Sequence, residues 1–236
     1  MTPETAQILI QLNQTFYAEI ADSFADSRRT PQPGFHRLLE YFPTAGPRLL
    51  DVGCGEGRFG RFAREKRPLQ KYVGVDFTTD LLAKANANTR GEFIQRDISR
   101  PGCLDGLGNF DIVVCLAAMQ HIPGYAKRLR LLQELAAHLD ANGRIFLSNW
   151  QFMDSPRQRR KVRDWSLVGL ASNDVEPNDY LLTWQRDGFG LRYVCQIDVE
   201  ETAVLAQAAN LHIIDQFRSD GKEGDLSLYT ILAAAK

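Results

Sequence analysis

No apolar run in these 236 residues approaches the length that crosses a bilayer, and the N-terminus shows no signal-peptide pattern. The chain is therefore expected to work in the cytoplasm, off the membrane. Cysteine is sparse: Cys54, Cys103, Cys115 and Cys195 stand far apart with no CxxC pair. That spacing excludes a disulfide framework and leaves four free thiols in a reducing compartment, with no metal site expected. An excess of one charge is missing too. The formal net charge is −1, so any nucleic-acid partner has to be met by a local basic patch. Internal repeats and low-complexity segments are absent, which excludes a solenoid. What remains is an ordinary globular composition, long enough for one α/β domain with additions.

The informative stretch is Leu49-Leu50-Asp51-Val52-Gly53-Cys54-Gly55-Glu56-Gly57-Arg58-Phe59-Gly60. Four residues, Leu49 to Val52, read as a short buried strand, then a glycine turn, then a helix from Arg58 to Glu65. This is the first half of a βαβ unit, whose helix N-terminus and open turn receive a ligand. Gly55 to Gly60 fits GxGxxG, but in the wrong register for a dinucleotide. Counting from Gly53, Arg58 replaces the third glycine. Asp51 at the strand tip repels a pyrophosphate and suits a ligand with an ammonium group. A glycine turn that merely reverses the chain is the plainer alternative.

Pro3 to Ser23 reads as an amphipathic helix capped by Thr2, with Ile8, Leu12, Phe16 and Ile20 near one face. His36 to Phe42 is a second helical piece, and both are expected to cover the mouth of the site. Tyr17 and Arg28 offer a phenol and a guanidinium for a carboxylate of cofactor or substrate. Tyr72 to Asp76 is the second strand, and Asp76 falls where a carboxylate accepts both ribose hydroxyls, with Phe77 beside it for the adenine ring. A turn aspartate is the alternative for Asp76. Thr79 to Asn88 is a helix, and Glu92 to Ile98 a third strand that delivers Asp97 to the adenine amino group and Ile98 to the base. Phe110 to Leu116 is the fourth strand, beside the first across the switch point, so Leu116, Ala117 and the run to Pro123 cross the site floor. Gln120 and His121 lie in that run, either positioning ligands or, for His121, moving a proton.

Lys127 to Leu139 reads as a helix, Asp140 to Gly143 as a turn and Arg144 to Trp150 as strand five. An insertion follows over residues 151–198, ending in a strand at Gly190 to Gln196, and it is expected to act as a substrate lid. Its cluster Arg157, Arg159, Arg160 and Lys161 is either a phosphate-contacting patch, with Trp165 and Trp184 as stacking surfaces, or a solvated helix face. A helix at Val199 to Ala209 and strands at His212 to Phe217 and Leu226 to Leu232 close the chain.

Asp51-Val52-Gly53-Cys54-Gly55, with Asp76, Asp97 and the Phe110 to Leu116 strand, resembles the class I S-adenosylmethionine-dependent methyltransferases over about two-thirds of the chain. The resemblance implies a Rossmann-like, mostly parallel seven-stranded sheet with helices on both faces. It would carry a helical cap over residues 1–42, a cofactor core over 43–150, the insertion, and closing elements over 199–236. It implies S-adenosylmethionine as cofactor and S-adenosylhomocysteine as product. Tyr17-Ala18-Glu19-Ile20-Ala21-Asp22-Ser23-Phe24, then Ser27-Arg28 and Pro31-Gln32-Pro33, is similar to the lead-in of the tRNA carboxymethyluridine methyltransferases. Those enzymes esterify the carboxymethyl group of a wobble uridine. Arg192-Tyr193 resembles part of their R-Y-Y-H stretch. Departures from the pattern leave another acceptor open: Gln32 replaces a tryptophan, Val194-Cys195 a Tyr-His and Gln120-His121 a His-His pair. Eukaryotic members use a small activator subunit, and no residue here decides whether one is needed.

A carboxylate acceptor, whose ordinary pKa is roughly 4, is already ionised and needs no general base. Arg28 and Arg192 would then orient it, with Tyr17, Gln120, Asn149 and Tyr193 as neutral partners. A hydroxyl or amine acceptor would use His121 as base. Three functions stand: a methyltransferase for a modified tRNA nucleoside, one for a small-molecule acceptor, and a non-catalytic protein that keeps the cofactor fold.

Overall fold

The computed structural model describes residues 1–20, 30–184 and 190–235. Seven strands form the main sheet: β1 (Arg48–Val52), β2 (Lys71–Asp76), β3 (Glu92–Gln95), β4 (Phe110–Leu116), β5 (Leu139–Trp150), β9 (Leu211–Ser219) and β10 (Ser227–Ala234). Their order is β3-β2-β1-β4-β5-β10-β9, and β10 alone runs against its neighbours. The chain lays down β1 to β3 in one direction and returns to place β4 on the other side of β1, which creates the expected switch point.

Strand alternation sorts the core into two layers. Leu50, Val52, Val73, Val75, Val113 and Cys115 face one side, covered by α5 (Tyr125–Ala137) and α7 (Val199–Ala208). Leu49, Tyr72, Ile112, Val114 and Phe146 face the other, where α2 (Gly34–Leu38) and α3 (Arg58–Lys66) bring Phe35, Leu38, Phe59 and Phe62. The helix α4 (Thr79–Asn88) has the expected span and buries Leu81, Leu82 and Ala85.

The structure revises several boundaries. β3 stops at Gln95, because Asp97 turns the chain by accepting from Ser99 N–H at 2.9 Å and Ser99 Oγ at 2.6 Å. α5 starts at Tyr125, two residues early, where Glu176 Oε2 accepts the Tyr125 N–H at 2.9 Å. Residues 140–143 belong to β5 and are absorbed by a register shift opposite Phe110 and Ile112.

The insertion carries its own antiparallel sheet, β6 (Val162–Arg163), β7 (Asp179–Trp184) and β8 (Gly190–Cys195), where the sequence suggested one strand. The helix α1 (Pro3–Glu19) is capped by Thr2 Oγ1, as expected, but its buried face is turned. Leu9, Ile10, Asn13, Phe16 and Tyr17 point inward, while Ile8 is 46% exposed. Asn13 explains the rotation. Its Oδ1 accepts from Tyr193 N–H at 2.8 Å, and its Nδ2 donates to the carbonyls of Tyr193 at 3.0 Å and His121 at 3.3 Å. One amide thus satisfies the open edge of β8 and pins α1 to the run after β4. Among the described residues, no helix is long and apolar enough to cross a membrane.

Candidate active site

A cleft opens at the carboxyl ends of the parallel strands, where β1 and β4 part. It holds about 1100 Å³ with its open mouth included, and is walled by the tips of β1, β2 and β4, by α1, and by the first residues of α2, α3 and β10. The glycine turn forms its floor. Gly53 N–H and Cys54 N–H donate to the Val75 carbonyl at 2.8 and 3.0 Å, folding the turn against β2. Gly53 has φ +75°, and a Cβ there would fall 2.4 Å from Ala118 Cβ. Gly55 has φ +54°, and a Cβ there would meet nothing within 4 Å, so its backbone lies open to a ligand.

Asp76 ends β2 beneath the turn. Its Oδ2 accepts from Gly55 N–H and its Oδ1 from Thr78 N–H, each at 2.9 Å, so the carboxylate braces the turn while lining the cleft. Burial pushes its pKa up, against the pull of those N–H groups. Asp51, 2% exposed, is pushed up to about 7, first by burial and against the Tyr72 hydroxyl that donates to Oδ2 at 2.9 Å. An ammonium group beside it would restore the ionised form. Asp97 Oδ2 accepts from Gln14 Nε2 at 3.1 Å, which ties the β3 turn to α1. Ala117, in the left-handed region at φ +54°, donates its N–H to the Ser148 carbonyl at 2.8 Å, and this bond holds the strained residue at the switch point.

A polar chain crosses the acceptor side. His121 Nδ1 lies 3.1 Å from the Tyr193 carbonyl, which only accepts, so Nδ1 carries the proton. Nε2 then accepts from the Tyr17 hydroxyl at 2.9 Å, and Tyr17 in turn accepts from Arg192 Nη1 at 3.4 Å. Arg192 is 4% exposed and boxed by aromatic rings, with its guanidinium carbon 4.7 Å from the Trp150 centroid, 5.3 Å from Phe16 and 5.6 Å from Trp184.

These are the features of a cofactor cleft on a seven-stranded switch-point sheet. The methyltransferase domain family matches residues 23–215. This chain belongs to that family. A methyltransferase-family protein of Encephalitozoon cuniculi is 26% identical over 92% of this chain and 92% of its own length. The tRNA (carboxymethyluridine(34)-5-O)-methyltransferase ALKBH8 of Macaca fascicularis is 26% identical over 63% of this chain, which spans only 22% of that protein. The trans-aconitate 2-methyltransferase of Deinococcus radiodurans is 32% identical over 51% of this chain and 43% of its own length. Among solved structures, an S-adenosylmethionine-dependent methyltransferase from Clostridium acetobutylicum superposes with TM-score 0.66 at 14% identity, covering 95% of this chain and 100% of that one. The glycopeptide N-methyltransferase MtfA, solved with S-adenosylhomocysteine, gives 0.62 at 15% identity, over 85% and 88% of the two chains.

The methyltransferase uses S-adenosylmethionine, and the residues present fit it. Gly55 offers open backbone beside Gly53 and Cys54 on the floor, Asp51 an anion for an ammonium, Asp76 oxygens for a ribose, and Phe77, Asp97 and Ile98 a wall for an adenine. Tyr17, Leu116, Ala117 and His121 line the same cleft. Bound there, the cofactor supplies an electrophilic methyl group on a sulfonium.

Other expected residues are placed elsewhere. Gln120 is fully buried and outside the cleft wall: its Oε1 accepts from Trp150 N–H at 2.7 Å. The Tyr193 hydroxyl points into Asp179 Oδ1 at 2.6 Å, so the side chain is structural and only its backbone reaches the site. Arg192 touches the cleft through Tyr17 rather than lining it. Asn149, 2% exposed, is likewise absent from the wall. Trp165 is packed in the main core and offers no stacking surface. Arg28 lies outside the described residues. Asn13, Gln14, Phe35, Glu56, Arg58 and Tyr229 also stand on the cleft wall, although the sequence did not mark them as site residues. For Glu56 and Arg58 a signal existed, since they flank the last glycine of the turn.

Proposed function

We propose that this methyltransferase esterifies a carboxylate. The observation that carries the reading is the state of His121, the base a hydroxyl or amine acceptor would use. Both of its ring nitrogens are engaged, Nδ1 by the Tyr193 carbonyl and Nε2 by the Tyr17 hydroxyl. A carboxylate is already an anion and needs no proton removed. Rate then comes from alignment of the acceptor oxygen with the methyl group and from exclusion of water.

The carrier of that carboxylate is a modified tRNA nucleoside. Arg157, Arg159 and Arg160 are exposed on the short helix α6 (Pro156–Arg159) and its following turn, as a phosphate-contacting patch requires. Lys161 contributes less, because burial lowers its pKa and Arg192 and Arg157 lower it further. The similarity to ALKBH8 supports this carrier. A free small carboxylate is the second reading, favoured by the burial of Trp165 and by the similarity to a trans-aconitate methyltransferase.

The test incubates the enzyme with methyl-labelled cofactor and either bulk tRNA or a metabolite extract, then digests and separates the products by mass spectrometry. The label is expected in a nucleoside, released as methanol by mild alkali. An alkali-stable methyl group contradicts carboxylate chemistry, and label confined to metabolites selects the second carrier. Replacing Arg157, Arg159 and Arg160 with alanine is expected to flatten the dependence of log K on log salt for tRNA by about 3. An unaltered slope returns the cluster to a solvated face.

A further inference from the structure

Two charged side chains on the cleft wall have no role so far. Arg58 opens α3, and its guanidinium carbon lies 5.5 Å from the Phe35 ring centroid. It forms no hydrogen bond or ion pair among the described residues, although burial lowers its pKa. Glu56, on the other side of Gly57, is 7% exposed, and its Oε1 has no hydrogen-bond partner. The two share a cleft without closing on each other.

Their surroundings do not satisfy them. Asp220 also stands on this wall, where Oδ1 accepts from Gly34 N–H at 2.9 Å and Oδ2 from the Tyr229 hydroxyl at 2.6 Å, and it forms no ion pair with Arg58 among the described residues. Glu56 and Asp220 offset part of the burial of Arg58 without bonding it, and a guanidinium does not escape burial by losing its proton. This corner is formed by α2, α3 and the start of β10, and the strand order puts β10 on the other side of β1 from β2 and β3, whose ends carry Asp76, Phe77 and Asp97 for the expected adenosine. Whatever binds here carries an anion and is not the nucleoside half of the cofactor.

We propose that Arg58 is the cation that orients the acceptor carboxylate, with Glu56 keeping its charge partly compensated. This rests on the carboxylate reading above and names the group that serves it, in place of Arg192, which is walled off behind Tyr17. Arg58 holds one carboxylate oxygen. The other oxygen donates a lone pair to form the O–CH₃ bond as the S–CH₃ bond breaks, and the bonding pair leaves on sulfur as a neutral thioether. No proton moves. Glu56 limits how far the guanidinium neutralises the acceptor, so orientation is gained without loss of the attacking lone pair.

The test uses calorimetry on the full chain saturated with S-adenosylhomocysteine, with 5-carboxymethyluridine and trans-aconitate as probes and uridine as the uncharged control. Wild type is expected to bind at least one carboxylate probe and not uridine. Arg58→Met is expected to weaken that binding roughly 10- to 100-fold, with Arg58→Lys in between. Affinity for S-adenosylhomocysteine, measured alone, is expected to stay within about twofold in both variants, which also reports that they fold. The proposal is overturned if wild type binds neither probe, if Arg58→Met leaves probe affinity unchanged, or if S-adenosylhomocysteine affinity falls as much as probe affinity. The last result would assign Arg58 to the cofactor. A probe held through Arg58 but never methylated sinks the carboxylate reading and spares the subsite. A probe methylated with equal KM by Arg58→Met does the reverse.

Discussion

Asp76→Ala is expected to weaken S-adenosylhomocysteine binding by about 1.5–3 kcal/mol, roughly 10- to 150-fold, in a calorimetric titration. The carboxylate has two duties. Each oxygen already accepts one backbone N–H, from Gly55 and from Thr78, and has capacity for a second on a residue that lines the cleft. Removing it would delete the expected partners of the ribose hydroxyls and would also free the Gly55 backbone, which is open to the cleft. Asp76→Asn separates the duties, since one amide oxygen still accepts while the other position becomes a donor. Its loss is expected to be smaller than that of alanine. Unchanged affinity in Asp76→Ala would remove Asp76 from the cofactor site.

The largest stability effect is expected from Arg128→Met, about 3–5 kcal/mol by urea or thermal unfolding, which lowers Tm on the order of 10 °C. Arg128 is 2% exposed. Its Nε donates to Glu201 Oε1 at 2.8 Å, its Nη2 to Glu176 Oε2 at 3.4 Å and its Nη1 to the Ile122 carbonyl at 3.2 Å. One guanidinium therefore joins α5, α7, the insertion and the end of the site floor. Burial alone would lower its pKa, but the surrounding Cys195, Tyr193, Glu201 and Asp179 more than reverse that. Methionine keeps much of the volume and strands Glu201, itself mostly buried, without a cation. A loss under about 1 kcal/mol would show that the network is not what holds these elements.

Much of this was legible in the sequence where periodicity and turn chemistry agree. β4 and α4 have the spans that their apolar spacing gives, and Asp51, Gly53, Cys54, Gly55 and Asp76 sit on the cleft because strand tips and glycine turns leave little freedom. The face of α1 was not legible. An apolar stripe through Ile8 and Leu12 is the natural choice, but burying Asn13 satisfies three backbone groups at once, and hydropathy does not register that gain. Tyr193 and Gln120 were misplaced for a related reason. Chain position put them near the site, while their partners, Asp179 and the Trp150 backbone, are distant in sequence. Trp165 sits beside a basic run, and neighbours in the chain say little about which way a large ring packs. Arg58 was visible only as an interruption of a glycine pattern. Asp220 beside it is held instead by the neighbouring Tyr229 hydroxyl and by the Gly34 N–H, and the second of these partners is distant in the chain.

The cleft between β1 and β4 has the lining that S-adenosylmethionine requires. A crystal structure grown with S-adenosylhomocysteine tests it most directly. The ribose hydroxyls are expected on Asp76, the ammonium beside Asp51 and the adenine against Phe77 and Ile98. A cleft left empty at saturating ligand would contradict it. So would the same ligand bound with its amino acid at Asp97 and its adenine at Arg58.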